Sequence, residues 1–227
     1  MTKVQTEFAK DTRLALATYW LGRNACVVFC RLWFRLTVEG LENVPASGPF
    51  VLAPVHRSNM DTPIAAVCTK RRMRYMGKDS LWKHPVSAWL FTALGGYPVA
   101  RGTADREAIT RSVDRLKAGE PLVLFPEGSR QSGGSIAPLK DGAMYLASKA
   151  QVMTVPVGIG GSERAMAEGA KWIRPSKVHV LIGKPIAAPA LEDNGRISRE
   201  RIRQSTDQLH DELQRLFEVA QRKVGAV

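Results

Sequence analysis

The sequence predicts an α/β fold, a mostly parallel sheet flanked by helices, and three observations carry that prediction. Short apolar runs of strand length alternate with segments whose apolar residues recur at helical spacing, the pattern of a sheet covered on both faces. The 227 residues, 44% apolar and 24% charged, are enough to bury one real core and too apolar for disorder. No repeat, low-complexity tract or linker divides the chain. The reading is therefore a single domain over residues 37–227, preceded by an apolar helical segment over residues 1–36.

That first segment stands apart. From Leu14 to Leu36 the run LALATYWLGRNACVVFCRLWFRL is apolar and aromatic, interrupted by Arg23, Arg31 and Arg35. Wound as one helix at about 100° per residue, these arginines and Arg13 fall within roughly a third of the circumference, although Trp20, Val27 and Phe34 intrude. Trp and Phe at the lipid boundary with Arg at anionic headgroups is the signature of membrane association. The competing arrangement is a helical hairpin that turns at Gly22-Arg23-Asn24 and packs on the core. The longest stretch without Asp, Glu, Lys or Arg, His84–Ala100, is broken by Gly95, Gly96 and Pro98. A spanning helix needs about 20 mostly apolar residues. The expected attachment is thus monotopic or peripheral, on the cytoplasmic face. Ala15-Leu16-Ala17 looks like a signal-cleavage triplet but precedes the apolar residues it should follow.

The elements then follow in order. Phe50-Val51-Leu52-Ala53 is a buried strand between Pro49 and Pro54, and Asp61-Thr62-Pro63 starts a helix with a cap and an early proline. A short strand follows near Arg74-Tyr75-Met76. Val86, Trp89, Leu90, Ala93 and Leu94 recur at helical spacing up to Gly95. Tyr97–Ala100 is strand-like, and Thr103 caps a helix bearing Ile109, Val113 and Leu116 that stops at Gly119. Pro121–Phe125 is the clearest buried strand. A helix over Gly142–Lys149, strands over Val152–Ile159 and Val178–Ile182, and a long C-terminal helix complete the series. Ile202, Leu209, Leu213, Leu216, Phe217 and Ala220 mark the inner face of that last helix.

The 33 Lys and Arg against 21 Asp and Glu give a net charge of +12, which draws the chain to polyanions: nucleic acid, an anionic membrane or phosphorylated substrates. No nucleic-acid recognition motif is present, and aromatics do not interleave with the basic run as a stacking platform requires. Cys26, Cys30 and Cys68 have neither disulfide-framework nor metal-site spacing and read as apolar residues in a reducing compartment.

Three polar constellations sit where an open α/β sheet places its sites, beyond the carboxyl ends of strands. His56 and Asp61 flank a strand-to-helix turn that can fold the carboxylate back onto the imidazole. One ring nitrogen is then fixed and the other left as a base. Phe125-Pro126-Glu127-Gly128-Ser129-Arg130 ends the strongest strand; Glu127 and Arg130 can hold a hydroxyl and an anion together, or form a solvated ion pair. Ser129 lacks a nucleophile-elbow context, which excludes a serine hydrolase. Gly95–Gly102 is a glycine turn and strand with Arg101 at its exit, a guanidinium that suits either bidentate phosphate binding or a structural role. Lys78 and the run Lys70-Arg71-Arg72-Met73-Arg74 add positive field, unless the run is only a solvated loop. His84 belongs to a helix start and His179 is structural. Trp82 and Trp89 read either as core or as the wall of an apolar channel.

Together these blocks resemble the glycerolipid acyltransferases, specifically the 1-acylglycerol-3-phosphate (lysophosphatidic acid) acyltransferase family. His56-Arg-Ser-Asn-Met-Asp61 is similar to its catalytic H-x4-D block, Gly95–Arg101 to its second block, and Phe125–Arg130 to its F-P-E-G-[ST]-R block. Thr154-Val155-Pro156-Val157 resembles its fourth. Lys78 and Lys140-Asp141-Gly142-Ala143 sit where the family carries a Lys and a K-x-G-A segment. The resemblance spans roughly Leu36–Ile186. Two departures stand out: Val55 precedes the His, and Val157-Gly158-Ile159-Gly160-Gly161 lacks a second proline.

The resemblance implies a catalytic pair, His56 and Asp61, and phosphate binding by Arg101, Glu127, Gly128, Ser129, Arg130 and Lys78, with Lys140 and Pro156 in secondary roles. It implies an acyl-CoA or acyl-carrier-protein co-substrate, a lysophospholipid acceptor, an anionic membrane partner, and no metal, cofactor or nucleic acid. His56 would deprotonate the acceptor hydroxyl for direct attack on the thioester, without an acyl-enzyme. The alternatives are the same chemistry on another lysophospholipid or a glycolipid, and a non-catalytic basic protein that binds anionic membranes.

Overall fold

The computed structural model describes residues 12–99, 106–192 and 194–226. It opens with helix α1 (Arg13–Trp33) and strand β1 (Thr37–Glu39), then β2 (Phe50–Pro54), α2 (Asp61–Ala65) and β3 (Arg74–Lys78). Next come α3 (Pro85–Ala93), β4 (Gly96–Val99), α4 (Arg106–Lys117), β5 (Leu122–Val123) and α5 (Gly142–Ala150). The chain ends with β6 (Met153–Gly160), α6 (Ser162–Ala165), β7 (His179–Ile182) and α7 (Arg199–Lys223).

The strands form one seven-stranded sheet in the order β1-β7-β6-β2-β5-β3-β4. Among the named strands of the described residues β6 and β7 are the antiparallel pair and the others pair in parallel, with one isolated antiparallel bridge between Thr154 and Ile186. All five residues of β2 are buried, as a parallel strand covered on both faces requires. β2 lies between β6 and β5, in register Ala53 with Pro156 and Leu52 with Val123. The run Pro121–Phe125 pairs as a strand only at Leu122 and Val123. Beyond them Leu124 N still donates to Leu52 O, but the chain then turns to place Phe125 under the site.

α7 packs on β6 and β7 through Ile202, Leu209, Leu213, Leu216, Phe217 and Ala220, the face its periodicity marked. The glycines of the Val157–Gly161 stretch have a packing reason: a Cβ on Gly158 would stand 2.5 Å from the Leu216 backbone. Glycine here lets helix and strand approach closely.

α1 is a continuous helix through Gly22-Arg23-Asn24, so the hairpin arrangement does not hold. One face carries Ala15, Tyr19 and Cys30 into the protein against α2 and α3. Leu14, Leu21, Val28 and Leu32 fall on the opposite side and are exposed. No helix among the described residues is long and apolar enough to cross a membrane.

α3 also differs from its reading. Ala88, Thr92 and Ala93 face inward, where Trp82 Nε1 donates to Thr92 Oγ1 at 3.0 Å, while Val86 and Leu90 point outward. Small residues let α3 lie close to the bulky indole, which displaces the larger apolar side chains to the surface. The Thr103 cap lies outside the described residues.

Candidate active site

The loop between β2 and α2 wraps around one carboxylate oxygen. Asp61 Oδ2 accepts from the backbone N–H of Arg57 (2.5 Å) and Ser58 (2.6 Å) and lies 3.1 Å from His56 Nδ1. Asp61 was expected to cap its helix; instead it opens α2 and bonds backward, and Met60 takes the cap position without a side-chain bond. The reason is the strand end: three donors converge on the carboxylate from the preceding loop. Asp61 is fully buried, whereas the His56 side chain retains 16% exposure and stacks on Phe125, ring centroids 4.0 Å apart. With Nδ1–H donated to Asp61, Nε2 is the ring nitrogen left for a substrate.

A second layer holds the His56 backbone. Glu127 Oε1 accepts from His56 N at 2.8 Å, and Glu127 Oε2 lies 3.4 Å from Arg57 Nη2 and accepts from Ala137 N at 3.4 Å. Arg57 is 1% exposed, donates to Ser135 O at 2.8 Å, and lies 4.8 Å from the Phe217 ring centroid on α7. Burial pushes the Glu127 carboxyl above its ordinary pKa, opposed by the His56 N–H and the Arg57 charge. Glu127 is therefore turned into the protein and does not line the cavity described next. It braces His56, where sequence reasoning placed it among phosphate ligands. A buried carboxylate would repel a phosphate rather than bind one.

His56 opens into a cavity of about 540 Å³. At the carboxyl ends of the strands its wall is polar: His56, Asn59, Lys78, Ser129, Arg130 and Glu168. It then runs past Met76 to Tyr75 at the start of β3, about 10 Å at strand rise. This deeper part is walled by Tyr19, Gly22, Arg23 and Cys26 of α1 and by Ala66, Trp82, Phe91 and Leu94. The arrangement suits a molecule with a charged head and a long apolar tail.

The remaining expectations sort by position. Lys78, Ser129 and Arg130 line the polar end. Arg130 is engaged by Asn59 Oδ1 at 2.7 Å and Glu168 at 3.2 Å. Gly128 makes the turn at φ +75°, with the exposed Lys140 side chain where its Cβ would be; neither lines the cavity. Pro156 is buried in β6 behind β2 and stands apart from the cavity. Arg101 lies outside the described residues. Trp82 lines the cavity and Trp89 does not.

The basic run lies at the opposite end of the sheet, where Arg71 donates to the carbonyls of Pro45, Gly48 and Gly119 and Arg74 pairs with Glu120. Those contacts tie loops together at the end of the sheet away from His56. Burial pushes the Cys30 and Cys68 thiols up to about 12, which removes them as nucleophiles. His179 bonds Thr37 Oγ1 at 2.7 Å, a structural role as expected. Sequence reasoning missed α1 as a cavity wall, Glu168, and the Arg57 brace. Gly22 inside a helix was the one available signal, since a Cβ there would stand 2.7 Å from Leu94 Cδ2.

Comparisons with known proteins agree with this geometry. Residues 35–160 match the acyltransferase family. A 1-acyl-sn-glycerol-3-phosphate acyltransferase of Bacillus subtilis is 27% identical over 199 residues, 87% of this chain and 96% of that one. A chloroplastic 1-acyl-sn-glycerol-3-phosphate acyltransferase of Arabidopsis thaliana is 28% identical over 179 residues, 77% of this chain and 50% of that one. The chain thus spans about half the length of these plant and algal relatives. The crystal structure of the 1-acyl-sn-glycerophosphate (LPA) acyltransferase PlsC from Thermotoga maritima superimposes with a TM-score of 0.68 over 96% of this chain and 83% of that one, at 24% identity. The two chains share a fold.

Proposed function

The chain belongs to the acyltransferase family, and from that membership we propose that it moves a fatty acyl group from an acyl thioester to the free hydroxyl of lysophosphatidic acid, forming phosphatidic acid. The observation that carries this reading is the His56–Asp61 pair, 3.1 Å apart, at the junction of a polar cavity end and an apolar one. The names of the Bacillus subtilis and Arabidopsis thaliana relatives support the acceptor.

In this mechanism His56 Nε2 takes the proton of the acceptor hydroxyl as its oxygen attacks the thioester carbonyl carbon. The C–S bond breaks, and the same nitrogen returns the proton to the departing thiolate. Asp61 fixes the tautomer and stabilises the imidazolium. Arg130, Lys78, Ser129 and Arg101 hold the acceptor phosphate, and the apolar end holds the acyl chain. Two cations at the described polar end favour a phosphate-bearing acceptor over a neutral glycolipid. The donor is acyl-CoA or acyl-carrier protein.

α1 attaches the domain to the cytoplasmic face of the membrane. Its outward apolar residues lie opposite its buried face, so the helix is apolar on two sides while the described protein covers one. Arg31 is exposed beside that face, whereas Arg23 has turned inward to the carbonyls of Ala66 (3.1 Å) and Thr69 (2.5 Å).

The test is acylation of a panel of lysophospholipids and glycolipids by the purified protein with either donor. His56→Ala should cut kcat by about 10²–10⁴-fold at unchanged folding. Turnover that survives this substitution would remove the mechanism. Absence of turnover across the panel would favour a membrane-binding scaffold.

A further inference from the structure

The segment between α6 and β7 has an unusual tip. Trp172 is 81% exposed and Ile173 stands exposed beside it, with Lys171 and Arg174 on either side. Among the described residues neither of these two cations forms an ion pair. The acid of the loop, Glu168, is engaged with Arg130 in the cavity wall. At its base the loop is fastened by several bonds: Ser58 Oγ donates to Met166 O at 2.7 Å, Arg174 N to Ala165 O at 2.9 Å and Ser176 Oγ to Gly161 O at 3.5 Å. The first of these bonds comes from the loop that bends around Asp61. The exposed indole is thus tied through short links to the His56–Asp61 loop and, through Glu168, to Arg130.

We propose that the Lys171–Arg174 tip is a second membrane contact, in which Trp172 enters the interface of an anionic phospholipid bilayer and Lys171 and Arg174 meet its headgroups. An indole has an apolar body and one N–H donor, so the boundary between headgroup and hydrocarbon satisfies both ends. Flanking cations add attraction to anionic lipid and none to a neutral surface. A protein partner fits less well. One Trp and one Ile offer far less than the roughly 800 Å² per partner of a stable protein interface. A single ring is also no stacking platform for nucleic acid. The contact sets the polar end of the cavity at headgroup level, where a lysophospholipid acceptor resides. It extends the membrane part of the proposed function and needs none of its chemistry.

The experiment measures flotation of the full chain with phosphatidylcholine vesicles, with and without phosphatidylglycerol, together with fluorescence quenching by bromine-labelled acyl chains. Trp172→Ala should lower partitioning roughly tenfold and remove the part of the quenched emission due to that ring. Lys171→Ser with Arg174→Ser should abolish the preference for phosphatidylglycerol carried by the tip and leave binding to pure phosphatidylcholine unchanged. All three positions are exposed, so an unchanged melting midpoint confirms folding. Equal partitioning and quenching in wild type and Trp172→Ala would overturn the proposal. So would a Trp172 blue shift in concentrated protein without vesicles, which would assign the tip to a second copy. Neither readout involves turnover, so failure here is separable from failure of the acyltransferase reading.

Discussion

Arg130 shows how a single side chain sets the resting state of the site. It holds Asn59 and Glu168, so in the proposed mechanism an acceptor phosphate competes with the Glu168 carboxylate for the guanidinium. Glu168→Ala should therefore lower KM for the acceptor about two- to fivefold, the range of a partly exposed ion pair, with kcat little changed. Steady-state kinetics on lysophosphatidic acid checks this. Arg57 and Glu127 form the other sensitive pair. Arg57→Met leaves a buried carboxylate without its cation and should cost about 3–5 kcal/mol, and adding Glu127→Gln should recover much of it. The pH dependence has a definite sign. Because burial raises the Glu127 pKa in the folded state above 4.5, the folded protein holds that proton more tightly than the unfolded chain. The group thus favours folding at low pH, and the advantage is lost as pH rises from 4.5 through the folded value. In urea titrations the stability of Glu127→Gln relative to wild type should increase across that window.

Among the elements, α1 joins a cavity wall to the membrane contact proposed above, two arrangements that sequence reasoning kept apart. Its inner face walls the cavity and its Tyr19 hydroxyl accepts from Met73 N at 2.9 Å, so removing the helix would open the core as well as remove the proposed contact. The membrane role is better tested on the outer face. Leu21→Glu with Leu32→Glu should weaken vesicle flotation sharply while shifting stability by no more than about 0.5 kcal/mol per site. Loss of folding would show instead that this face is covered by protein. α3 illustrates a limit of periodicity: its apolar spacing predicted the helix correctly, but of that stripe Val86 and Leu90 point outward while Ala93 is buried. Spacing reveals that residues share a face, and the neighbouring Trp82 decided which face is buried. α7 had no such competitor, and its marked residues are the ones buried on β6.

For the whole molecule, the net charge of +12 turns out to be spatially divided. Arg71 and Arg74 close loops at the amino ends of the strands, while Lys78 and Arg130 stand at the carboxyl ends beside His56. A sum over the chain cannot separate these two uses of a guanidinium, because carbonyl oxygens and phosphate oxygens accept the same donors. The alternation of strands and helices, the burial of Phe50–Pro54 and the pairing of His56 with Asp61 were legible because each depends on residues close in sequence. The Arg57–Glu127 brace was not legible. It joins positions 70 residues apart, and only the adjacency of β2 and β5 in the sheet brings them within 3.4 Å.

The sequence by itself determined most of the elements, their mostly parallel sheet and the His56–Asp61 pair, since local spacing and strand-end placement follow from backbone geometry. Tertiary structure alone decided that α1 walls the cavity, that Glu127 faces His56 rather than solvent, and that Trp172 remains outside. In each case the outcome turned on which distant surfaces meet, and burial and charge pairing act on that proximity rather than on order along the chain.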